Sequence, residues 1–263
     1  MAEKLLVAGV DVGSATAKAV VLDRDGRVRG SSLLPSAPNL SGVGREALNE
    51  ALAEAGAEAG ELAAVAGTGY GRAALDFAAL RITEITCHAR GASVLFPGTA
   101  LVVDVGGQDS KAIRMGPSGE VRDFTMNDKC AAGTGRFLAV MAGILGTSLD
   151  VLGPAGLRAM KALSMTSTCT VFAESEVISL ISQGEAVPDI AHAVHQALAQ
   201  RLAGMVRMVG ADGPAVFSGG GALNPDLVDC LQSLLGLVFQ IPERPQLTGA
   251  LGAAHLALRK AGA

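Results

Sequence analysis

The sequence lacks a basic run and a long uncharged apolar stretch. Its 263 residues carry a net charge of −4 and only 17% are charged, which argues against nucleic acid as the main partner. No run of about 18 apolar residues is free of charge, so no membrane-spanning helix is expected. The N-terminus enters a strand pattern too early for a signal peptide. With 49% hydrophobic residues to fill a core, we expect a cytoplasmic globular protein with no membrane and no nucleic acid partner.

Cysteine is also scarce, and no pair of cysteines is close in sequence. Cys130 stands in NDKCAAGTGRF and Cys169 in TSTCTVFAESEV, 39 residues later (169 − 130). This spacing excludes a redox Cys-x-x-C and a zinc knuckle. Each cysteine precedes a helix-like segment, and a helix N-terminus favours a thiolate or an anionic cluster. Two alternatives stay open from spacing: buried free thiols, or a cluster completed by a second subunit.

Tryptophan is absent and tyrosine occurs once, whereas glycine occurs 34 times, often where a strand ends. The segment DVGSATAKAVVL from Asp11 aligns with DVGGQDSKAIRM from Asp104, and Lys18 and Lys111 each follow their aspartate by seven residues (18 − 11, 111 − 104). The tip of such a hairpin can hold a phosphate oxygen through backbone amides, and the aspartate can hold Mg²⁺. One copy is a weak motif that also fits an ordinary turn. Two copies indicate two related domains.

A third glycine cluster, in FSGGGALNP, completes the pattern of a nucleotide site without a P-loop or a Rossmann fingerprint. We expect Asp11 and Asp104 to hold hydrated Mg²⁺ and Gln108 to position the attacking water. The candidate nucleotide ligands are Gly13, Ser14, Ala15, Thr16, Lys18, Gly106, Gly107, Gln108, Gly133, Gly219, Gly220, Gly221, Asn224 and Gln246.

The hairpin pattern resembles the actin, Hsp70 and sugar-kinase superfamily of ATPases. That resemblance implies an α/β fold with two ribonuclease-H-like domains around a nucleotide cleft. We expect residues 1–97 with 246–263 to form the first domain and residues 98–245, which carry the cysteines, to form the second.

Seven stretches across nearly the whole chain resemble the 2-hydroxyacyl-CoA dehydratase activators, also called the BadF/BadG/BcrA/BcrD ATPases. They are GVDVGSATAKAVVLD, TEITCHARGA, VVDVGGQDSKAI, MNDKCAAGTGRFL, FAESEVISLISQG, FSGGGALNP and QLTGALGAAHLA. The NDKCAAGTGRF and FAESE elements are the specific ones.

The resemblance implies an oxygen-sensitive homodimer that binds ATP or ADP with Mg²⁺. It implies one 4Fe–4S cluster at the subunit interface, ligated by Cys130 and Cys169 of both chains. An electron from ferredoxin or flavodoxin would pass through the cluster to an iron–sulfur dehydratase or reductase, driven by ATP. The alternatives are a small-molecule kinase or a nucleotide-switched assembly protein of the same fold. Either would leave both cysteines without a role.

Other residues suggest simpler roles. Cys230 is expected to pack in the core. For Cys87, core packing is favoured, and a thiol near the cleft stays open. His192 and His195 are three residues apart, but no acidic or cysteine partner stands nearby in sequence, so a metal is not expected there. The last helix, 248–260, is rich in glycine and alanine, and we expect its small face to pack against the helix after Cys130. The sequence does not decide the roles of His88, Glu174 and Glu176.

Overall fold

Two five-stranded sheets of the same strand order organise the chain in the computed structural model, which describes residues 5–166, 169–210 and 213–262. The first sheet has the order β3-β2-β1-β4-β5 and the second β10-β9-β6-β7-β8. The strands of the first are β1 Leu6–Val12, β2 Thr16–Asp23, β3 Val28–Pro35, β4 Leu62–Thr68 and β5 Leu80–Arg81. Those of the second are β6 Leu101–Val105, β7 Ser110–Met115, β8 Val121–Asn127, β9 Ala215–Ser218 and β10 Phe239–Gln240.

Eight α-helices cover these sheets in the described part of the chain. Those of the first unit are α1 Leu40–Ala55, α2 Glu84–Leu95 and α8 Thr248–Ala261. Those of the second are α3 Gly135–Ile144, α4 Leu149–Gly156, α5 Thr170–Ser182, α6 Val187–Val209 and α7 Pro225–Leu235. The first unit holds the described residues through Thr99, Met115–Val121 and those from Pro242; the second holds Ala100–Arg114 and Arg122–Ile241.

The two central strands, β1 and β6, are apolar except for one aspartate each, and they are buried. Every residue of β1 is buried. Its alternate residues, such as Val10 and Val12, pack with α1, while Val7 packs with α8 on the opposite face. In the second unit, Val103 of β6 packs in one core with residues of α3 and α6. The hairpins and helices predicted from the sequence are confirmed in this arrangement.

No single helix within the described ranges is both long and apolar enough to cross a membrane. The pair α3 and α4 reaches that length and composition together, but the two helices are bent by 84°.

The small-residue face of α8 packs within its own unit. A Cβ at Gly252 would overlap the carbonyl of Cys87 in α2, and a Cβ at Gly9 of β1 would overlap the backbone of α8 at Ala250. These glycines allow α8 to lie directly against α2 and the first sheet. The expectation that this face packs against the helix after Cys130 is therefore wrong. Small residues indicate a close approach but do not say which element approaches.

Two helical glycines provide a direct test of this packing. Gly252→Ala should lower the free energy of unfolding by about 1–3 kcal/mol, because the added methyl group meets backbone that cannot move aside. Gly204→Ala in α6 is the matched control, since a Cβ there meets nothing within 4 Å. The control should be stabilised by about 0.5–1 kcal/mol through the higher helix propensity of alanine. Thermal melting by circular dichroism measures both, and a Gly252→Ala protein as stable as wild type would contradict the packing.

Candidate functional site

The repeated Asp-x-Gly motifs form two equivalent hairpins, β1–β2 and β6–β7. Their register places Asp11 directly opposite Lys18 and Asp104 directly opposite Lys111. In each hairpin the lysine Nζ lies 3.3 Å from Oδ2 of its aspartate. The seven-residue spacing in the sequence therefore reflects a cross-strand ion pair beside each hairpin tip.

The two ion pairs differ in burial. Side chains of Lys111 and Asp104 are 2% and 3% exposed, against 12% and 7% for Lys18 and Asp11. Asp104 also accepts a hydrogen bond from Ser218 Oγ at 2.9 Å, and Lys111 Nζ lies 2.9 Å from Asp109 Oδ1. Buried charges are tolerated when they are paired and hydrogen-bonded in this way. The second hairpin is the more rigidly held of the two.

A glycine turn follows the inner parallel strand of each sheet. Gly219 after β9 has a φ of 80°, and Gly69 after β4 has a φ of 89°. A Cβ at Gly219 would lie 2.8 Å from Asp104 Oδ1, and a Cβ at Gly69 would overlap Asp11 Oδ1. Only glycine fits both the conformation and the space. The sequence analysis identified the glycine cluster at 219–221 but missed its counterpart, Thr-Gly-Tyr-Gly at 68–71. Both segments have a hydroxyl residue followed by Gly-x-Gly, and this shared pattern could have revealed the second one.

The predicted nucleotide ligands divide between the two units. Those of the first unit lie at the β1–β2 tip and in the short 3-10 turn Pro245–Leu247. Those of the second lie at the β6–β7 tip, after β9 and before α3. The exposed or half-buried ones are Gly13, Ser14, Ala15, Thr16, Lys18, Gly106, Gly107, Gln108, Gly220 and Gln246; the buried ones are Gly133, Gly219, Gly221 and Asn224.

Asn224 is used by the protein itself. Its Oδ1 accepts from Leu227 N at 3.0 Å, which caps α7, and its Nδ2 lies 2.8 Å from His195 Nε2. Both ends of this amide are engaged inside the second unit. The structure therefore places Asn224 at the helix cap, and its contact with a nucleotide stays a prediction.

The tip of the second hairpin is bonded to the helix that follows Cys130. Gly135 N donates to Gly106 O at 2.9 Å, and Arg136 N donates to Gly107 O at 2.7 Å. The first amides of a helix have no partner within the helix, so the hairpin carbonyls here satisfy two of them for α3. A displacement of the Gly106–Gly107 peptides would act directly on the N-terminus of α3.

The Cys130 segment is held from its other side by Asn127. Its Nδ2 donates to Cys130 O at 2.9 Å and to Ala132 O at 2.8 Å. A pocket of about 210 Å³ opens beside this segment within the second unit. Its lining is Gln108, Asp128, Lys129, Cys130, Ala131 and Arg136. Gln108 of the hairpin tip and Cys130 thus border the same cavity.

Cys169 is exposed at the N-terminus of α5. The segment before it is tied to α5 by Glu176, whose Oε1 accepts from Thr166 N at 2.8 Å. Only Ala173 and Val177 of α5 are buried. Leu180 is half-buried against the core of the second unit, and four apolar side chains of this helix are exposed: Val171, Phe172, Ile178 and Ile181.

The remaining two thiols are unlike Cys130 and Cys169. Cys87 and Cys230 are buried, as predicted, and burial raises the pKa of each thiol to about 12. For Cys230 the neighbouring carboxylates of Asp226 and Asp229 act in the same direction. Within a single chain, Cys130 and Cys169 are the accessible thiols.

His192 and His195 have acidic and cysteine neighbours that are distant in sequence. His192 Nδ1 lies 2.9 Å from Asp226 Oδ1, 34 residues away, and His195 Nδ1 lies 2.6 Å from Asp226 Oδ2. Cys230 Sγ lies 3.9 Å from His192 Nδ1. Sequence proximity could not reveal these neighbours, because packing of α6 against α7 brings them together.

Comparisons with known proteins agree on one family. The model of the BadF/BadG/BcrA/BcrD ATPase family matches residues 8–257. The activator of lactoyl-CoA dehydratase from Anaerotignum propionicum is 42% identical over 254 residues, which cover 96% of this chain and 97% of that protein.

Solved structures match over almost the full length. Component A of (R)-2-hydroxyglutaryl-CoA dehydratase from Acidaminococcus fermentans has a TM-score of 0.95 at 39% identity, covering 98% of this chain and 100% of that one. The activator of the 2-hydroxyisocaproyl-CoA dehydratase from Clostridium difficile, solved with ADPNP, has a TM-score of 0.93 at 38% identity, covering 98% and 96%. A ROK family glucokinase from Streptomyces griseus (TM-score 0.60, 14% identity, 97% and 99% covered) shares the fold alone. The predicted fold class is confirmed.

The buried ion pair of the second hairpin can be tested against an exposed one. Lys111→Met leaves Asp104 buried without its main countercharge, so the free energy of unfolding should fall by about 3–5 kcal/mol. Lys161→Met breaks the Lys161–Glu185 pair, whose lysine is 62% exposed, and should barely change stability because exposed pairs contribute little. Urea unfolding of both variants measures this. Equal, small losses would contradict the structural importance of the Asp104–Lys111 pair.

Proposed function

The chain belongs to the BadF/BadG/BcrA/BcrD ATPase family and is an ATPase, and we propose that it is a reductive activator. In this proposal, ATP hydrolysis drives an electron of low potential onto a partner iron–sulfur enzyme. The acceptor class is a 2-hydroxyacyl-CoA dehydratase or a related CoA-ester reductase, and the setting is the cytoplasm.

Two backbone hydrogen bonds carry this proposal: Gly135 N to Gly106 O and Arg136 N to Gly107 O. They join a hairpin of the ATPase fold to the segment that contains Cys130. A kinase has no use for such a connection, because its substrate does not involve a surface thiol. An activator needs it, because a change at the nucleotide must reach the electron-carrying group.

We assign phosphate binding to the tips of both hairpins. The half-buried Gly13, Gly106 and Gly107 let a phosphate oxygen approach the backbone, and the hydroxyls of Ser14 and Thr16 add donors. Gln108, exposed at the second tip, is placed to orient the attacking water.

Asp11 and Asp104 fit a role toward hydrated Mg²⁺. Each carboxylate already has a lysine Nζ at 3.3 Å. This cation opposes direct binding of a second one, so we assign contact through the water shell of Mg²⁺, which dehydrates reluctantly. Mg²⁺ supplies neutralisation of charge on the phosphates when it is bound.

The donor set also fits a 4Fe–4S cluster shared by two subunits. Such a cluster takes four thiolates, and one chain offers two accessible thiols, Cys130 and Cys169. A two-fold axis supplies the other two. The outward apolar side chains of α5, beside Cys169, provide a surface that a second copy of the chain would cover.

When bound, a 4Fe–4S cluster stores one electron, here from ferredoxin or flavodoxin, at a potential set by its surroundings. The chain acts on those surroundings. Asn127 fixes the Cys130 and Ala132 carbonyls, and the Gly106–Gly107 carbonyls hold α3. A shift of the hairpin with nucleotide state would therefore change the position and solvation of the Cys130 thiolate.

Iron and acid-labile sulfide of anaerobically purified protein test the cluster. Wild type should contain about two irons per chain, since four irons serve two subunits. Cys130→Ser and Cys169→Ser should each remove the iron and the electron transfer to an acceptor, yet leave a folded chain that binds ADPNP. Cys87→Ser, a buried thiol, is the matched control and should keep full iron content. Four irons per chain, or iron retained without Cys130, would end the proposal.

ATP turnover tests the hairpins separately. Asp11→Asn and Asp104→Asn should each slow hydrolysis by about 10²-fold or more, because the position of Mg²⁺ and of the attacking water depends on these carboxylates. Their iron content should match wild type. The assay contains no sugar or other phosphate acceptor, so turnover by wild type also separates an ATPase from a kinase. Undiminished turnover in both variants would remove the hairpins from the reaction.

A further inference from the structure

Hydrogen-bonded polar side chains join α6 to α7. None of them belongs to the β1–β2 or the β6–β7 hairpin. Asp226, which is 2% exposed, lies at their centre. His195 Nδ1 lies 2.6 Å from one of its carboxylate oxygens and His192 Nδ1 lies 2.9 Å from the other. Cys230 Sγ stands 4.0 Å from Asp226 Oδ1. Nothing in the proposed ATPase or electron-transfer chemistry uses this group.

Hydrogen bonds of the helix cap indicate the tautomer of His195. Leu227 N donates to Asn224 Oδ1, so the amide nitrogen of Asn224 must face His195 Nε2, at 2.8 Å. His195 Nε2 is then an acceptor, and its proton resides on Nδ1. His195 donates this proton to Asp226 Oδ2 and so orients the carboxylate.

The burial of Asp226 favours a positive charge beside it. An ionised carboxylate this deeply buried needs a compensating cation. Among the described residues, no lysine or arginine pairs with it; its ionic neighbours are the two histidines.

His192, Asp226 and Cys230 offer an imidazole nitrogen, a carboxylate oxygen and a sulfur, which are the ligand atoms that zinc binds in proteins. His192 Nδ1, Asp226 Oδ1 and Cys230 Sγ form a triangle with sides of 2.9, 3.9 and 4.0 Å. A tetrahedral zinc ion, with Zn–N and Zn–O of about 2.0 Å and Zn–S of about 2.3 Å, separates its ligand atoms by roughly 3.3–3.6 Å. Shifts of about half an ångström convert the one triangle into the other.

We propose that His192, Asp226 and Cys230 bind one Zn²⁺ per chain, with a water at the fourth position. Binding releases the Cys230 thiol proton to solvent and moves the His192 proton from Nδ1 to Nε2. The ion, the carboxylate and the thiolate then sum to zero charge, which suits a buried site. His192 is 27% exposed, which leaves a path for the ion and room for the water.

The surroundings satisfy the outer requirements of a zinc site. Gln196 lies 3.0 Å from His192 Nε2, and a half-turn of its amide presents the oxygen to Nε2–H, which leaves Nδ1 for the metal. His195 holds the Asp226 carboxylate in place as an outer partner. The ion would pin α6 to the start of α7, directly after the Gly219–Gly221 turn, and so fix that turn from behind.

Cobalt(II) is the probe that reports on the thiolate directly. The protein for this titration is the full chain with Cys130→Ser and Cys169→Ser. It lacks both accessible thiols and keeps the two buried ones. Stripped of metal and titrated with Co²⁺ alone under anaerobic conditions, it should develop sulfur-to-cobalt charge-transfer absorption and the strong visible bands of tetrahedral cobalt. Both should saturate at one ion per chain and vanish on addition of Zn²⁺.

Two further substitutions in that background locate the site. Cys230→Ser should abolish the charge-transfer band, whereas Cys87→Ser, the other buried thiol, should leave it unchanged. His192→Gln changes a partly exposed residue and removes a direct metal ligand. Loss of an outer partner weakens metal binding by about 10–100-fold, so this substitution should weaken Co²⁺ binding by more than that. If Cys230→Ser does not fold, the His192→Gln variant tests the location of the metal site instead. Absence of the band at stoichiometric Co²⁺, its survival without Cys230, or unchanged affinity in His192→Gln would overturn the zinc site without affecting the proposed activator function.

Discussion

The start of α3 depends on two carbonyl oxygens that belong to another element, the Gly106–Gly107 tip of the second hairpin. Helix amides left without partners are costly when they are removed from water, so α3 and the hairpin cannot shift independently without losing these bonds. Cys130 lies five residues before Gly135 in the segment that this contact anchors (135 − 130). The rest of the proposed function follows from that constraint, because a phosphate bound at the tip acts on the same peptides that hold the helix.

The two units show how such a device can be built on a repeated fold. Both have the central hairpin with its Asp–Lys pair and the glycine turn after the inner parallel strand. They differ in the connection that precedes that strand. In the first unit it contains α1 and the short 3-10 turn Ala59–Glu61, whereas in the second it contains α3, α4, α5 and α6. Cys130 and Cys169 both lie in the longer connection. In the proposed function, the repeated hairpins therefore bind the nucleotide, and the thiols belong to a segment that only one copy has.

The sequence predicted the elements well where local chemistry determines them. An apolar strand that ends in Asp-x-Gly, with a lysine seven residues after the aspartate, predicts a hairpin. Both copies of the motif form one. Long-range packing was beyond the same reasoning. The glycines of the last helix predicted a close contact but did not indicate that the partner is α2. The histidines of α6 did not predict their contact with Asp226 and Cys230, because these residues lie on another helix. The assignment of Cys130 and Cys169 to a cluster, and of both hairpins to phosphates, stays a prediction.

Hydrogen–deuterium exchange of the 133–137 segment, with and without ADPNP, tests the coupling most directly. Its amides include Gly135 N and Arg136 N, which donate to the hairpin tip. We expect nucleotide to change the exchange of this segment together with that of the 104–111 hairpin, in the wild-type protein and also in the Cys130→Ser variant, because the connection is made of backbone and not of the cluster. Protection that changes in the hairpin while residues 133–137 exchange as before would contradict the account.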